Sequence, residues 1–201
     1  MYNGVLVKNY PAPPVDKREI LRYAGHRGEV DERMETLLEE CLAESEKVCA
    51  YRLTYRVFDV KQNGEFCRIG RLETGSKLVK SRLGDCEKAV LFAATIGLGM
   101  DRLIMKYAQI STAKALIMQA IGAERIEALC DVFCAELKGE YAFVGDRFSA
   151  GYGDFSLTAQ RDIFDMLDCA RGIGLTLNDS LLMSPTKSVT ALVGVGGSST
   201  N

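Results

Sequence analysis

The sequence contains too few histidines for several common classes of metal site. Its single histidine, His26, excludes a zinc site built from several histidines, an H-E-x-x-H protease helix and a two-histidine iron site within this chain alone. A Ser-His-Asp or Cys-His hydrolase would also depend on His26. That residue lies in the run Gly25-His26-Arg27-Gly28, which is typical of a helix end followed by a turn.

Long apolar runs and an excess of basic residues are absent as well. No apolar run approaches the roughly 20 residues that a membrane span requires. The 25 lysines and arginines are balanced by 27 aspartates and glutamates, for a net charge of −2, whereas proteins that bind nucleic acid carry a basic face. We therefore expect neither a membrane nor a nucleic acid as a partner. With 201 residues, 47% of them apolar, the chain has enough material for one well-packed domain.

The cysteines do not form a disulfide or metal-binding pattern. They number seven, contain no C-x-x-C pair, and follow no secretory leader, since Met1 to Tyr10 has neither a basic region nor a long apolar run. We therefore expect a reducing, cytoplasmic location. Cys130 and Cys134, four residues apart on a predicted helix, are either a redox or metal pair or small buried hydrophobic residues, and the second interpretation is favoured.

Hydrophobic periodicity predicts an α+β fold, in which an antiparallel, twisted sheet packs with helices, because strands and helices come in blocks rather than in strict alternation. Pro11, Pro13 and Pro14 predict an extended N-terminal arm. The predicted helices are 16–23 capped by Asp16, 30–49, 76–83 capped by Ser76, 98–138 with a break near Ile110-Ser111, and 156–170 capped by Ser156. The predicted strands are 51–60, 66–72, 88–96, 175–177 and 189–195. The expected divisions are an arm over 1–14, a single domain over 15–195 and a flexible tail over 196–201.

A Gly-x-Gly pair after a predicted strand offers one candidate ligand site. Gly97-Leu98-Gly99 opens a helix and resembles the start of a dinucleotide or S-adenosylmethionine crevice. The third glycine of that fingerprint is replaced by Arg102. The acidic residue expected about twenty positions further on is missing, because Ile117-Met118-Gln119-Ala120 occupies that region. A tight turn from strand to helix is therefore the favoured interpretation.

The segment 146–154 offers a second candidate. It places the Arg147 guanidinium, a run of backbone around Ser149 and Gly151 without large side chains, and the Tyr152 ring within six residues. Arginine can bind a carboxylate with two parallel hydrogen bonds, and an aromatic ring can face a cation, so these are parts for holding an amino-acid nucleoside. Spacing alone favours a glycine-rich surface turn, with Arg147 paired to Asp146 or Asp154.

A longer pattern changes that balance. The pattern is Arg147-x-x-x-Gly151-Tyr152, a helix with Gln160, Phe164 and Leu167, and then Ile173-Gly174-Leu175 and Met183-x-Pro185-x-x-Ser188-Val189. It resembles the activation domain of cobalamin-dependent methionine synthase. The run Glu124-Arg125-Ile126-Glu127-Ala128 resembles the acidic helix segment of the same family. The resemblance covers most of the chain and is strongest from about residue 120 to 194.

The resemblance implies a binding site for S-adenosylmethionine. Arg147 would hold the methionine carboxylate, the backbone at Ser149 and Gly151 would meet the adenine, and Tyr152 would line the site. Glu127 would face the polar groups of the ligand, including its ammonium. Two alternatives stay open: Glu127 could belong to a solvated helix face, and Tyr152 could cover the core.

The resemblance also implies a function. The family uses one electron and the methyl group of S-adenosylmethionine to rescue a corrinoid whose cobalt has been oxidised. The family's corrinoid-binding module carries Asp-x-His-x-x-Gly, and the surroundings of His26 do not match, so cobalamin is expected only through a partner. The expected partners are a cobalamin-dependent methionine synthase or other corrinoid protein, and an electron donor such as flavodoxin or ferredoxin. The alternatives are a non-catalytic docking module for a corrinoid protein and an independent methyltransferase that uses Gly97 and Gly99.

Overall fold

The structure, a computed structural model, describes residues 4–197. Its strands are β1 (Leu6–Asn9), β2 (Arg52–Asn63), β3 (Phe66–Ile69), β4 (Leu72–Thr74), β5 (Lys88–Thr95), β6 (Phe143–Val144), β7 (Thr176–Leu177), β8 (Met183–Ser184) and β9 (Ser188–Gly196). Its helices are α1 (Lys17–Tyr23), α2 (Glu32–Glu46), α3 (Lys77–Leu83), α4 (Leu98–Ile110), α5 (Thr112–Glu140), α6 (Ala159–Leu167) and α7 (Cys169–Ile173). None of these helices combines the length and the apolar character needed to cross a bilayer.

An antiparallel sheet forms the middle of the molecule. Its strands are ordered β4-β3-β2-β5-β9-β6, with β1 added beside β2, and β7 and β8 form a separate hairpin. Every strand pairing within the described residues is antiparallel. Strand β5 pairs with β2 and β9 along its whole length. Its sequence is a nearly continuous apolar run because its side chains are buried on both faces of the sheet. The predicted α+β fold is confirmed.

Helices cover both faces of the sheet, and each face has its own core. Alternate side chains of β5 point to opposite faces: Phe92 packs with the α5 side, where its ring lies 5.1 Å from that of Phe133, whereas Leu91 packs with α3, α6 and α7. The long helix α5 therefore lies on one face, together with α1, α2 and α4. Helices α3, α6 and α7 lie on the other face. The predicted break before α5 is present at Ser111, which is extended and whose hydroxyl accepts from the Lys114 N–H.

The last predicted helix differs from the structure at both ends. Ser156 does not cap a helix to residue 170, because α6 begins only at Ala159 and has no side-chain cap. The hydroxyl of Ser156 instead accepts from the N–H of Thr158 at 3.3 Å. Asp168, in the left-handed conformation with φ of 48°, then separates α6 from α7. The helical periodicity of the sequence continues through this residue, so it gives no sign of the break.

The N-terminal segment is extended, as its prolines predict, but part of it belongs to the sheet. Residues Leu6–Asn9 form the edge strand β1. Beyond it, the carbonyls of Pro13 and Pro14 each accept from the buried Arg125 guanidinium at 2.6 Å, and Arg125 also pairs with Glu124 at 2.5 Å. These bonds hold the segment against α5. Of the predicted tail, Gly196 ends β9, and 198–201 lie outside the described residues.

The Gly97-Leu98-Gly99 turn is filled by protein. Gly97 has φ of +82°, and a Cβ at Gly99 would lie 2.3 Å from the carbonyl oxygen of Val48. The described sheet contains no parallel strand pair, which a dinucleotide-type crevice requires. The glycines are therefore explained by close packing, and the independent methyltransferase interpretation that relied on them is wrong for this fold.

Four of the seven cysteines are buried, and the other three are partly buried. All seven are free, and Cys130 lies with Phe133 in the core between α5 and the sheet. Burial raises the pKa of the Cys130 thiol, which keeps it protonated and unreactive. Between residues 4 and 197 no group of three or more His, Cys, Asp and Glu side chains could hold a metal ion.

Two glycine substitutions test the packing at the start of α4. We expect Gly99→Ala to lower the free energy of unfolding by about 2 kcal/mol, because the new methyl group meets backbone that cannot rotate away. Gly139→Ala is the matched control on α5. Nothing lies within 4 Å of its added Cβ, so alanine should raise the free energy of unfolding by about 0.5–1 kcal/mol through helix propensity. Urea unfolding measures the change in the free energy of unfolding for each variant. A Gly99→Ala variant as stable as the wild type would contradict this account.

Candidate functional site

A cleft opens where the sheet loses its last strand. Strand β6 pairs with β9 only at Val195 and Gly196, and Phe148 forms one further bridge to Leu192. After that bridge the chain turns away, so in the described part of the molecule no strand pairs with β9 on this side before Leu192. The cleft between this free edge and the turning chain has a volume of about 610 Å³.

The cleft reaches both faces of the sheet. Arg147 points to the α5 side, where it contacts Glu127, and the next residue, Phe148, points to the α6 side, where its ring lies 6.2 Å from that of Phe155. This reversal follows from the alternation of side chains along extended backbone. A ligand in the cleft would therefore pass the edge of the sheet and touch groups from both layers of helices.

Four of the five site residues predicted from sequence line this cleft. They are Glu127, Arg147, Ser149 and Tyr152. Gly151, the fifth, does not line the cleft. Its backbone conformation allows the loop to turn. It has φ of +96°, which favours glycine, and its N–H donates to the Phe155 carbonyl at 2.8 Å. The structure thus brings four predicted side chains or backbone groups together and places the fifth beside them.

Arg147 forms the charged end of the cleft. Its Nη2 donates to Glu127 Oε2 at 2.6 Å, and its Nη1 donates to Asp131. Burial would lower the pKa of the guanidinium, but these hydrogen bonds to Asp131 and Glu127 outweigh it, so the pKa lies above its usual value. Two of five N–H donors are used in these bonds, which leaves donors for an anionic group of a ligand.

The surface-turn interpretation of Arg147 is wrong. Asp146 pairs instead with Arg82 at 3.0 Å, and Asp154 binds the start of α3. Glu127, which could have faced solvent alone, is paired with Arg147. Asp146 and Asp154, the two carboxylates expected to pair with Arg147, therefore bind other groups.

Tyr152 stands at the rim of the cleft. Its side chain is 68% exposed, so the alternative that it covers the core is wrong. The backbone holds it there through the Tyr152 N–H to Ser149 carbonyl bond at 3.3 Å and the Phe155 N–H to Tyr152 carbonyl bond at 3.0 Å. The ring is placed to close over a ligand or to face a cation.

Asp154 fixes the far end of the same loop. It accepts from the Ser76 hydroxyl at 2.6 Å and from the backbone N–H groups of Lys77 and Leu78 at 2.7 and 3.1 Å. The Ser76 bond and these backbone bonds lower the pKa of Asp154 to about 2. The loop that carries Ser149 and Tyr152 is therefore tied to α3.

An acidic cavity adjoins the charged end. It has a volume of about 420 Å³ and shares Glu127 and Arg147 with the main cleft. Its other acidic lining residues are Asp16, Glu19, Glu124 and Asp131. Glu124 is neutralised by Arg125, but Asp131 and Glu127 together share one arginine. At this end of the cleft the two carboxylates therefore favour a cationic group of a ligand, and Arg147 favours an anionic group next to it.

Several lining residues were not predicted as site residues. Those with the longest polar or flexible side chains include Arg82, Gln160 and Met183, and Thr190 adds a hydroxyl. Gln160 carried a signal: it stands on α6 at helical spacing with Ile163, Phe164 and Leu167, which are apolar. A polar side chain on an otherwise apolar helix face is exceptional and could have marked it.

Comparisons with known proteins find a matching family model and a similar fold. A family model described as "Vitamin B12 dependent methionine synthase, activation domain" matches residues 77–200, more than half of the chain. The matches among solved structures include "Crystal Structure of the MetH Reactivation Domain bound to AdoHcy", with a TM-score of 0.68 and 18% identity, covering 98% of this chain and 80% of that chain. At this identity the likeness is one of fold. No curated protein sequence matches the chain.

The Asp154 bonds predict a pH dependence of stability. Because the folded pKa of about 2 lies below the ordinary value of 3.8, the stabilisation is fully present above about pH 4 and is lost as the pH falls toward 2. We expect Asp154→Asn to flatten the slope of the urea midpoint against pH in this window, by a modest amount because the carboxylate is exposed to solvent. Asp179→Asn, on an exposed carboxylate outside the loop, is the control. An unchanged slope in Asp154→Asn would contradict the assignment.

Proposed function

The chain belongs to the family of vitamin B12-dependent methionine synthase activation domains, and from this premise we propose that it binds S-adenosylmethionine in the cleft beside β9. In this role it is a reactivation subunit that acts in trans on a separate methionine synthase whose corrinoid has been oxidised. The observation that carries the proposal is the meeting of Arg147, Glu127, Ser149 and Tyr152 in one cleft. The cleft volume of about 610 Å³ is within the range that small-molecule ligands occupy.

The charges of the cleft match the amino-acid end of this ligand. Arg147 retains N–H donors that can bind the methionine carboxylate in a bidentate pair. Glu127 and Asp131 stand beside it and can hold the ammonium. The sulfonium is a second cation, and the exposed ring of Tyr152 can face it. The solved reactivation domain of similar fold, bound to AdoHcy, supports the same ligand class.

The chemistry asks the chain to position the ligand rather than to move protons. The ligand would supply the methyl group: its S–CH₃ bond breaks with the electron pair left on sulfur, and the methyl goes to cobalt that an external donor has reduced by one electron. No general base is needed for this transfer. Arg147 and Glu127 would hold the amino-acid end, the backbone at Ser149 and Gly151 would meet the adenine, and Tyr152 would line the site. The rate gain would come from proximity and orientation.

The corrinoid and the electron would come from other proteins. His26 lies in the turn after α1, where its Nε2 stands 3.2 Å from the Glu29 carbonyl, and it does not line the cleft. We therefore propose that a methionine synthase or other corrinoid protein is the partner that binds the corrinoid. From the family we also propose a donor such as flavodoxin or ferredoxin, and from the seven free cysteines a cytoplasmic location.

Ligand binding tests the role of Arg147. We expect Arg147→Ala to weaken S-adenosylmethionine and S-adenosylhomocysteine by about 10- to 100-fold, because it removes charge-assisted hydrogen bonds to the carboxylate. Titration calorimetry measures both affinities. Arg102→Ala, on the exposed surface of α4, is the matched control and should bind as the wild type does. Equal affinities for Arg147→Ala and the wild type would count against the proposal.

Reactivation itself separates this function from a docking role. The oxidised corrinoid of a candidate partner is followed by absorbance with reductant and S-adenosylmethionine, with and without this protein. We expect methyl-cobalt to appear only when the protein is present, and Arg147→Ala to abolish the effect at low ligand concentration. A complex that forms equally without ligand, and that leaves the cobalt spectrum unchanged, would favour the docking module instead.

A further inference from the structure

The sheet has a gap on one side of β2. Strand β1 pairs with residues 52–55, and β3 pairs with residues 60–63. Between them, in the described part of the chain, no strand pairs with residues 56–59 on this side. The Val60 N–H donates to the Glu87 carbonyl on the opposite, β5 side at 2.8 Å. Because successive residues of a strand direct their backbone groups to alternate sides, the N–H and carbonyl of Asp59 point into the gap.

A small pocket lies at this gap. It has a volume of about 300 Å³ and is lined by Arg56, Phe58, Asp59, Lys61, Arg68 and Gly70. Three of these four charged residues are cations, in a chain whose net charge is −2. Asp59, the fourth, stands directly opposite Lys88 on β5. The pocket thus carries a net positive charge that favours an anion.

Arg56 brings a buried donor without an acceptor to this pocket. Its Nε is buried and has no hydrogen-bond partner among the described residues. Its guanidinium carbon lies 4.9 Å from the centre of the Phe58 ring, which holds the group in place without supplying an oxygen acceptor. In the described chain neither Arg56 nor Lys61 pairs with a carboxylate, whereas Arg68 pairs with Glu73 at 3.1 Å. Folded proteins rarely leave a buried charged donor unpaired, so the pocket lacks an acceptor that an anion would supply.

The cations reach the pocket from both faces of the sheet. Phe58 belongs to the core on the α6 side, and Arg56, two residues before it on β2, shares that face. Lys61 points to the other face, and so does Arg68, its partner on β3. With the Asp59 N–H in the plane of the sheet, donors meet the pocket from three directions.

We propose that this pocket binds the phosphate group of a small phosphate monoester. The terminal oxygens of a phosphate point to the corners of a tetrahedron and accept from several directions at once, which suits donors on both faces and at the edge. A carboxylate has only two oxygens in one plane and would leave one set of donors unpaired. The volume of about 300 Å³ limits the occupant to a phosphate with a small organic group.

The pocket lies across the sheet from the cleft. Strand β5 separates β2 from β9, so the pocket and the cleft open on opposite sides, with two strand spacings, about 10 Å, between β2 and β9. A phosphate bound beside β2 therefore leaves Arg147 and Tyr152 accessible. Either site can be filled while the other is empty.

Titration calorimetry at constant ionic strength compares glycerol 3-phosphate, inorganic phosphate and acetate. We expect glycerol 3-phosphate to bind at least as tightly as inorganic phosphate, and both to bind at least about tenfold more tightly than acetate. Arg56→Met and Lys61→Met should each weaken glycerol 3-phosphate by about tenfold or more, because each removes a charge-assisted hydrogen bond. Arg52→Met, on the same strand but outside the pocket, is the matched control and should bind as the wild type does.

The melting temperature separates a binding role of Arg56 from a structural one. Methionine keeps apolar packing against Phe58. If Arg56 serves an anion, Arg56→Met should melt at the wild-type temperature without ligand and should lose the rise that glycerol 3-phosphate produces in the wild type. A lower melting temperature with unchanged affinity would assign Arg56 to the fold and overturn its binding role. Lys61→Met, at an exposed position, provides the same test where a change at Arg56 alters folding.

The remaining outcomes decide the ligand. Equal affinities for acetate and the two phosphates, or unchanged glycerol 3-phosphate binding in either variant, would overturn the site. Binding of inorganic phosphate without glycerol 3-phosphate would overturn the monoester as its ligand. S-adenosylmethionine should bind Arg56→Met as it binds the wild type, so failure of the phosphate site leaves the proposed function standing.

Discussion

The bridge between Phe148 and Leu192 determines where a ligand can bind. Before it, the chain pairs with β9 and closes the sheet; after it, the chain leaves the strand and exposes the edge. Because consecutive extended residues face opposite sides, the same bridge sends Arg147 to the α5 side and Phe148 to the α6 side. A strand that continued to pair past Leu192 would close the cleft and leave no common space for the two sides.

The surrounding structure holds this opening in place from several directions. Asp154 ties the departing loop to α3, and the left-handed Gly151 lets the loop turn within a few residues. On the opposite side, the Arg147 guanidinium is held by two carboxylates of α5. The groups that would meet a ligand are thus positioned before it arrives, which reduces the ordering cost of binding.

The sequence predicts the architecture well where local patterns carry the information. The continuous apolar run of β5 reports a strand that is covered on both faces, and the extended Ser111 marks the break before α5. The break at Asp168 was missed because a single left-handed residue does not disturb helical periodicity. The strand β1 was missed because its pairing with β2 joins residues more than forty positions apart.

The residues of the candidate site also divide into those that the sequence predicts and those that only the structure shows. Arg147, Tyr152 and Glu127 could be named from motifs. Asp131, the second carboxylate bound to Arg147, could not, since it lies sixteen residues before Arg147 and nothing in that spacing points to a contact. Thr190 looks like an ordinary position of a strand, and Gln160, although it is a polar residue on an apolar helix face, gives no sign in the sequence that its amide oxygen lacks a partner. Hydrogen-bond satisfaction is a property of the folded chain, so this part of the site becomes visible only in three dimensions.

A crystal structure of the protein with S-adenosylhomocysteine tests the central claim most directly. The account predicts the ligand across the edge of β9, with its carboxylate within hydrogen-bonding distance of the Arg147 guanidinium and its body against the loop from Ser149 to Tyr152. Ligand bound at any other surface, or a cleft left empty at saturating concentrations, would contradict it.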